Sequence, residues 1–236
     1  MKNKLDMNLL LLEWKLLTGN KRLKQQLIVS MLILPFLIFL QLAYPQVRES
    51  FFRKENLLFL LFVCTIPNFS LIVFCINAAF IEKQVTTPLP IYKIVKAKYR
   101  LYCILSLLLF IAFLPSVYIG IKILELAGAF LFCIGFIYFG VFIFSLFTYK
   151  PFNVKSSGFF NYQGQTVGMY IYAILLVAVA YGFVALFYFM YNETVALIAM
   201  SVIGLVFIAT NRIWLGFIAQ RFEKTKHYRL ERFNEK

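Results

Sequence analysis

Six long apolar runs organise the chain, separated by short segments that carry charge, proline or both. They cover roughly Leu27 to Tyr44, Leu57 to Phe80, Leu101 to Leu124, Leu126 to Tyr149, Gly168 to Met190 and Thr194 to Gln220. An α-helix crosses the hydrocarbon core of a bilayer with about 20 apolar residues. The pattern therefore predicts an all-α, polytopic membrane protein with six transmembrane helices. Residues 1–25 differ. Leu5, Leu9, Leu12 and Leu16 recur at helical spacing, Asp6 and Glu13 share another face, and Trp14 suits the headgroup level. This is the pattern of an amphipathic helix lying in the membrane interface, or of a soluble helix packed on a partner. The apolar run here is short and no small-residue cleavage site follows, so it is not read as a signal peptide. Three parts result: an interfacial helix at 1–25, a membrane domain at 26–221 and a basic tail at 222–236.

Composition agrees. Hydrophobic residues make up 62% of the 236 positions, charged residues 14%, and the mean hydropathy is +0.81. Soluble domains average about 45–50% apolar and about 25% charged residues. A soluble enzyme, a disordered chain and a disulfide-stapled secreted domain are excluded. The net charge of +14 comes from 24 Lys and Arg against 10 Asp and Glu. In a soluble protein such an excess points to nucleic acid. Here the basic residues flank the apolar runs and segregate by side. Nineteen fall in the connections that share a side with the termini, four in the opposite ones, and Arg212 lies inside the last run. The positive-inside rule then places both termini in the cytoplasm, which an even number of spans satisfies. Nucleic acid is not an expected partner. Membrane lipid is, and the expected location is multi-pass in a bacterial cytoplasmic (inner) membrane.

Candidate chemistry inside the spans is sparse. No Asp or Glu falls within a run, and Glu82 and Glu125 sit at edges. No HExxH, GxSxG or paired aspartates occur, and no GxxxxGK[ST] phosphate loop. The chain is not expected to be an enzyme, to hold catalytic residues or to bind ATP itself. Cys64, Cys75, Cys103 and Cys133 all lie in apolar runs without a CxxC pair, and read as packing residues. With His227 the single histidine, no metal site is expected. The sequon Asn192-Glu193-Thr194 lies against the membrane. The polar residues within the runs have two readings. Asn68 (after Pro67), Asn77 and Asn211 either hydrogen-bond between helices or line a transport route. Arg212 either snorkels to the interface or serves a polar cavity or salt link.

Two connections on the basic side are long, at 81–100 and 150–167. In the first, Thr87 can cap a helix and Pro88 and Pro90 suit a turn or helix start. Ile91, Ile94 and Val95 form one apolar face, with Lys93 and Lys96 elsewhere. The segment reads as a short helix beneath the membrane that docks into a partner's groove, or as a solvated basic loop. At Glu82, Thr87, Pro88, Leu89, Pro90 and Lys98 it resembles the coupling segment of permease subunits of ABC exporters of the type-2 export class. The interfacial helix and six spans fit the same layout, although the extended outer hairpin of such permeases is not evident before the last span. Through Gly158-Phe-Phe-Asn161-Tyr-Gln-Gly164 and Lys226-His-Tyr-Arg229 the chain also resembles permease-like proteins of Bacteroidetes.

The resemblance implies a permease that exports a substrate as a dimer, with a second copy or a homologous permease. A separate ABC-type ATPase subunit would hold the ATP and Mg, with no cofactor in this chain. Glu82, Thr87, Pro88, Leu89, Pro90, Ile91, Lys93 and Lys98 would couple to that ATPase. Gly158, Asn161, Gln163 and Gly164 would form a second contact, and Asn68, Asn77, Asn211 and Arg212 would line the pathway. The alternative is a non-transporting membrane scaffold or assembly factor that recruits partners through its basic tail.

Overall fold

The computed structural model describes residues 2–28, 90–119, 122–147 and 189–234, with isolated positions at 31, 32 and 36 and between 171 and 187. The first two predicted spans and most of the fifth lie outside the described residues. Every described element is helical. Helix α1 covers Lys2–Gly19 and α2 covers Lys21–Ile28.

Helix α3 covers Ile91–Phe113 and starts directly after Pro90, whose backbone is extended (φ −64°, ψ 123°). Proline has no N–H to leave unpaired and a fixed φ, so it suits a helix entrance. The sequence predicts a short helix here and a separate span from Leu101. Instead one helix runs through both. No glycine or proline interrupts Lys96 to Arg100, and Ala97 and the lysines are good helix formers. At the far end Pro115 stops the α-helical ladder, and Leu114–Ile119 tightens to a 3-10 helix.

The next helix has three parts: α4 at Ile123–Phe132, a π-helical turn at Cys133–Ile137, and α5 at Tyr138–Ser145. At its start the Glu125 carboxylate accepts from the Lys122 N–H at 3.4 Å. Asn192 opens α6 (Glu193–Ala209), its Oδ1 accepting from the Val195 N–H at 2.9 Å. Helix α7 covers Asn211–Asn234. Its axis departs from that of α6 by 59°.

That bend falls in the middle of the predicted sixth span, where no proline or glycine marks it. The Thr210 hydroxyl bonds back to the Val206 carbonyl at 2.8 Å. Across the corner, the Trp214 indole N–H donates to the Phe207 carbonyl at 2.9 Å. The Val206 carbonyl keeps its own amide partner, the Thr210 N–H at 2.9 Å, and accepts the hydroxyl as well, while at Phe207 a side chain supplies the donor.

Two helices, Ile91–Tyr118 and Ile123–Ser145, are long and apolar enough to cross a membrane. The bent pair Thr194–Ala209 and Asn211–Tyr228 passes the same test when taken together. On α3, Ile104, Leu107, Leu108 and Ile111 form an exposed stripe, while Tyr102, Leu105, Leu109 and Phe113 are buried. Ile198, Val202, Leu205 and Val206 repeat this on α6. Leucine and isoleucine stripes of this length on an outer surface need an apolar solvent, and they mark a membrane protein.

The core forms where α4 and the π turn press against α6. A Cβ on Gly135 would collide with the Gly204 backbone, and a Cβ on Gly204 with Leu131 and Phe132. Only glycine at both positions lets the two backbones meet, as small residues do at membrane helix crossings. Phe132, Tyr138 and Phe142 are buried beside this seam. The polar atoms there are matched. Tyr138 Oη lies 2.6 Å from Ser106 Oγ and donates to the Tyr102 carbonyl at 3.2 Å. In the π turn the Tyr138 N–H reaches the carbonyls of Cys133 and Gly135. The Ile134 carbonyl between them accepts the Tyr99 hydroxyl at 3.0 Å.

Candidate functional site

Charged side chains gather at one end of the bundle, where α1 and α7 both pack on the first turns of α3. Helix α1 does not bury the predicted stripe of Leu5, Leu9, Leu12 and Leu16 as a unit. Its packed face is Leu9, Glu13 and Leu17, one turn apart, while Leu12 is exposed. A carboxylate therefore stands in the middle of an apolar contact. Lys98 of α3 answers it: Nζ donates to Glu13 Oε2 at 2.7 Å, with the two side chains only 4% and 5% exposed.

An ion pair this dry is held by its geometry. Desolvation of each charge costs several kcal/mol, and removal of one partner strands the other. The sequence pattern places Lys98 in the coupling set on the basic side and Glu13 on a polar face of the first helix. It had no signal for their meeting, because 85 residues separate them. A second pair, Arg100 Nη1 to Asp6 Oδ2 at 3.3 Å, joins the same two helices nearer the surface.

The far side of α1 is also apolar. Met7, Leu11 and Trp14 are exposed and recur at i, i+4 and i+7. The helix thus has two apolar faces, one against α3 and one outward, with Asn8 and Lys15 beside the outer one. The packing partner of this helix is α3 of the same chain.

Of the residues proposed for coupling, Pro90 is exposed, Ile91 and Lys93 are half-buried and Lys98 is internal. Ile94 and Val95 were expected to face a partner, but they are buried within this chain. Among the described residues of this segment, Pro90 and Arg100 are exposed and Ile91, Tyr92, Lys93 and Lys96 are half-buried. Glu82, Thr87, Pro88 and Leu89 lie outside the described residues. So do Gly158, Asn161, Gln163 and Gly164, and the pathway residues Asn68 and Asn77.

Asn211 and Arg212 are described, and they sit just past the bend, at the start of α7. There they meet Lys96, Tyr99 and Arg100 of α3, and with Leu215 they line a cavity of about 210 Å3. Tyr99 also packs edge-on against Trp214, ring centroids 5.1 Å apart, so the corner and the charged end share a wall. Two sets that the sequence kept apart, the coupling segment and the last span, thus meet at one place. Among the described residues no group of three or more His, Cys, Asp or Glu side chains is placed to hold a metal ion.

The model of DUF5687, a family of unknown function, matches residues 7–236, and the chain belongs to that family. No curated protein and no solved structure matches the chain.

Proposed function

We propose that this member of DUF5687 is the permease subunit of an ATP-driven exporter. It works in the bacterial cytoplasmic membrane with six spans and both termini inside. Two copies, or this chain and a homologous permease, enclose the pathway, and a separate ABC-type ATPase that holds ATP and Mg docks beneath them. The observation that carries this reading is the unbroken helix from Pro90 into a membrane-crossing segment. An α-helix of that length moves as a rod. A force applied at the exposed Pro90 end reaches the span without a hinge, and the buried Glu13–Lys98 pair makes α1 move with it. The outward Met7, Leu11 and Trp14 stripe suits the headgroup layer, which would carry α1 along the membrane plane.

The test is purification of the tagged chain in mild detergent, with mass spectrometry of what accompanies it. An ABC-type ATPase at near-equal amount is expected, and a Pro90→Cys variant is expected to crosslink to it. A chain that arrives alone, or only with proteins that lack an ATP site, overturns the proposal and favours the scaffold.

A further inference from the structure

The cavity at the start of α7 has a composition that neither transport nor packing requires. Of the described residues that line it, Lys96, Arg100 and Arg212 carry positive charge. Among the described residues the one carboxylate paired to a lining side chain is Asp6, on Arg100. Lys96 stands over the Tyr92 ring at 5.9 Å, a contact that leaves its ammonium protons free for an anion. Arg212 is exposed and makes no hydrogen bond or ion pair among the described residues. Like charges held around one hollow repel each other, and an anion between them relieves that repulsion.

The backbone adds to the same field. Asn211 and Arg212 are the first two residues of a 24-residue helix. Of this first turn the Ile213 and Trp214 amides already donate to the Thr210 carbonyl, at 2.9 and 3.4 Å, so what the helix adds is its dipole, which places partial positive charge at its start. The Asn211 amide is a further hydrogen-bonding group on the rim. Leu215 and the Tyr99 ring form an apolar floor, which strengthens the field above it. The Tyr99 hydroxyl is turned away, to the Ile134 carbonyl. Two guanidinium groups, an ammonium and a helix start around about 210 Å3 form a receptor for a tetrahedral oxyanion.

We propose that this cavity binds a phosphate group, either a lipid headgroup phosphate or that of a free phosphorylated compound. The site stands independently of the export reading, since nothing in it needs an ATPase. By joining α3 to α7 across the bend, a bound phosphate would fix the corner at Thr210.

The experiment uses the full-length protein in dodecyl maltoside micelles, which carry no phosphate, with thermal unfolding as the readout at constant ionic strength. In one arm inorganic phosphate is titrated against chloride. In the other, phosphatidylglycerol is added to the micelles, and retained lipid is counted by native mass spectrometry. Stabilisation by inorganic phosphate in the first arm identifies a free phosphorylated compound as the source. Stabilisation and retained lipid only in the second identify the headgroup. In the responding arm Arg212→Gln and Lys96→Gln should each weaken the effect about tenfold, the loss of one charge-assisted hydrogen bond. Arg212→Lys should keep part of it. Arg212 is exposed, so its variants should unfold like wild type when no anion is present. No response in either arm, or an equal response from wild type, Arg212→Gln and Lys96→Gln, overturns the proposal.

Discussion

The glycine seam and the charged end solve the same problem, how to hold helices together when lipid offers no hydrophobic reward, in opposite ways. At the seam, Gly135 and Gly204 remove side chains so that backbone meets backbone. Attraction there is dispersion, summed over many close atoms. At the charged end, Glu13 and Lys98 bring charge into a dry contact and meet there at 2.7 Å. The seam tolerates no added atom, whereas the charged end tolerates no unmatched charge. One is therefore sensitive to volume and the other to stoichiometry.

Substitutions that exchange these sensitivities should separate the regions. The largest effect is expected at the seam. Gly135→Leu would force α4 and the π turn away from α6, and loss of a monodisperse folded species by size-exclusion chromatography is expected. Gly135→Ala should already cost about 3 kcal/mol, at the upper end for overpacking. Next comes the buried pair. Glu13→Leu or Lys98→Met alone should each cost about 3–5 kcal/mol, while the two together should recover most of that loss. A double-mutant cycle of denaturant unfolding measures it. Costs that simply add would show that the two side chains do not meet. The smallest effect belongs to the outer pair. Arg100 is 45% exposed, so Asp6→Asn should change stability by less than about 1 kcal/mol, and salt should remove even that.

What the sequence revealed follows from the range of each signal. Helical class and the start of α3 at Pro90 depend on local patterns, and both are legible. The start of α4 is legible only to within a few residues: the pattern puts the turn at Lys122 to Glu125, whereas the helix already begins at Ile123. The bend at Thr210 is not, because threonine is common in straight helices. Only the Trp214 bond to the Phe207 carbonyl shows the corner. The π turn at Cys133–Ile137 is equally silent: what marks it is contact with Gly204 and the Tyr99 hydroxyl of other helices, which no local pattern carries. The candidate site was legible only as scattered residues. Arg212 stood out as an ionisable group within an apolar run, but Lys96 and Arg100 read as ordinary flanking charge. Their convergence is a tertiary fact, and no spacing along the chain encodes it.

The Glu13–Lys98 pair also sets a schedule. Its partners are 85 residues apart, and chains are synthesised at about 5–20 residues per second. Glu13 leaves the ribosome roughly 4–17 seconds before Lys98 does, on that rate. Through that interval its carboxylate has no lysine to meet, and burial of α1 would strand it. Helix α1 is thus made well before it can lock, and its docking waits on the arrival of α3. A ribosome stalled before Lys98 would display α1 undocked, and release past that point would let it close. Assembly order, as well as stability, is written into one ion pair.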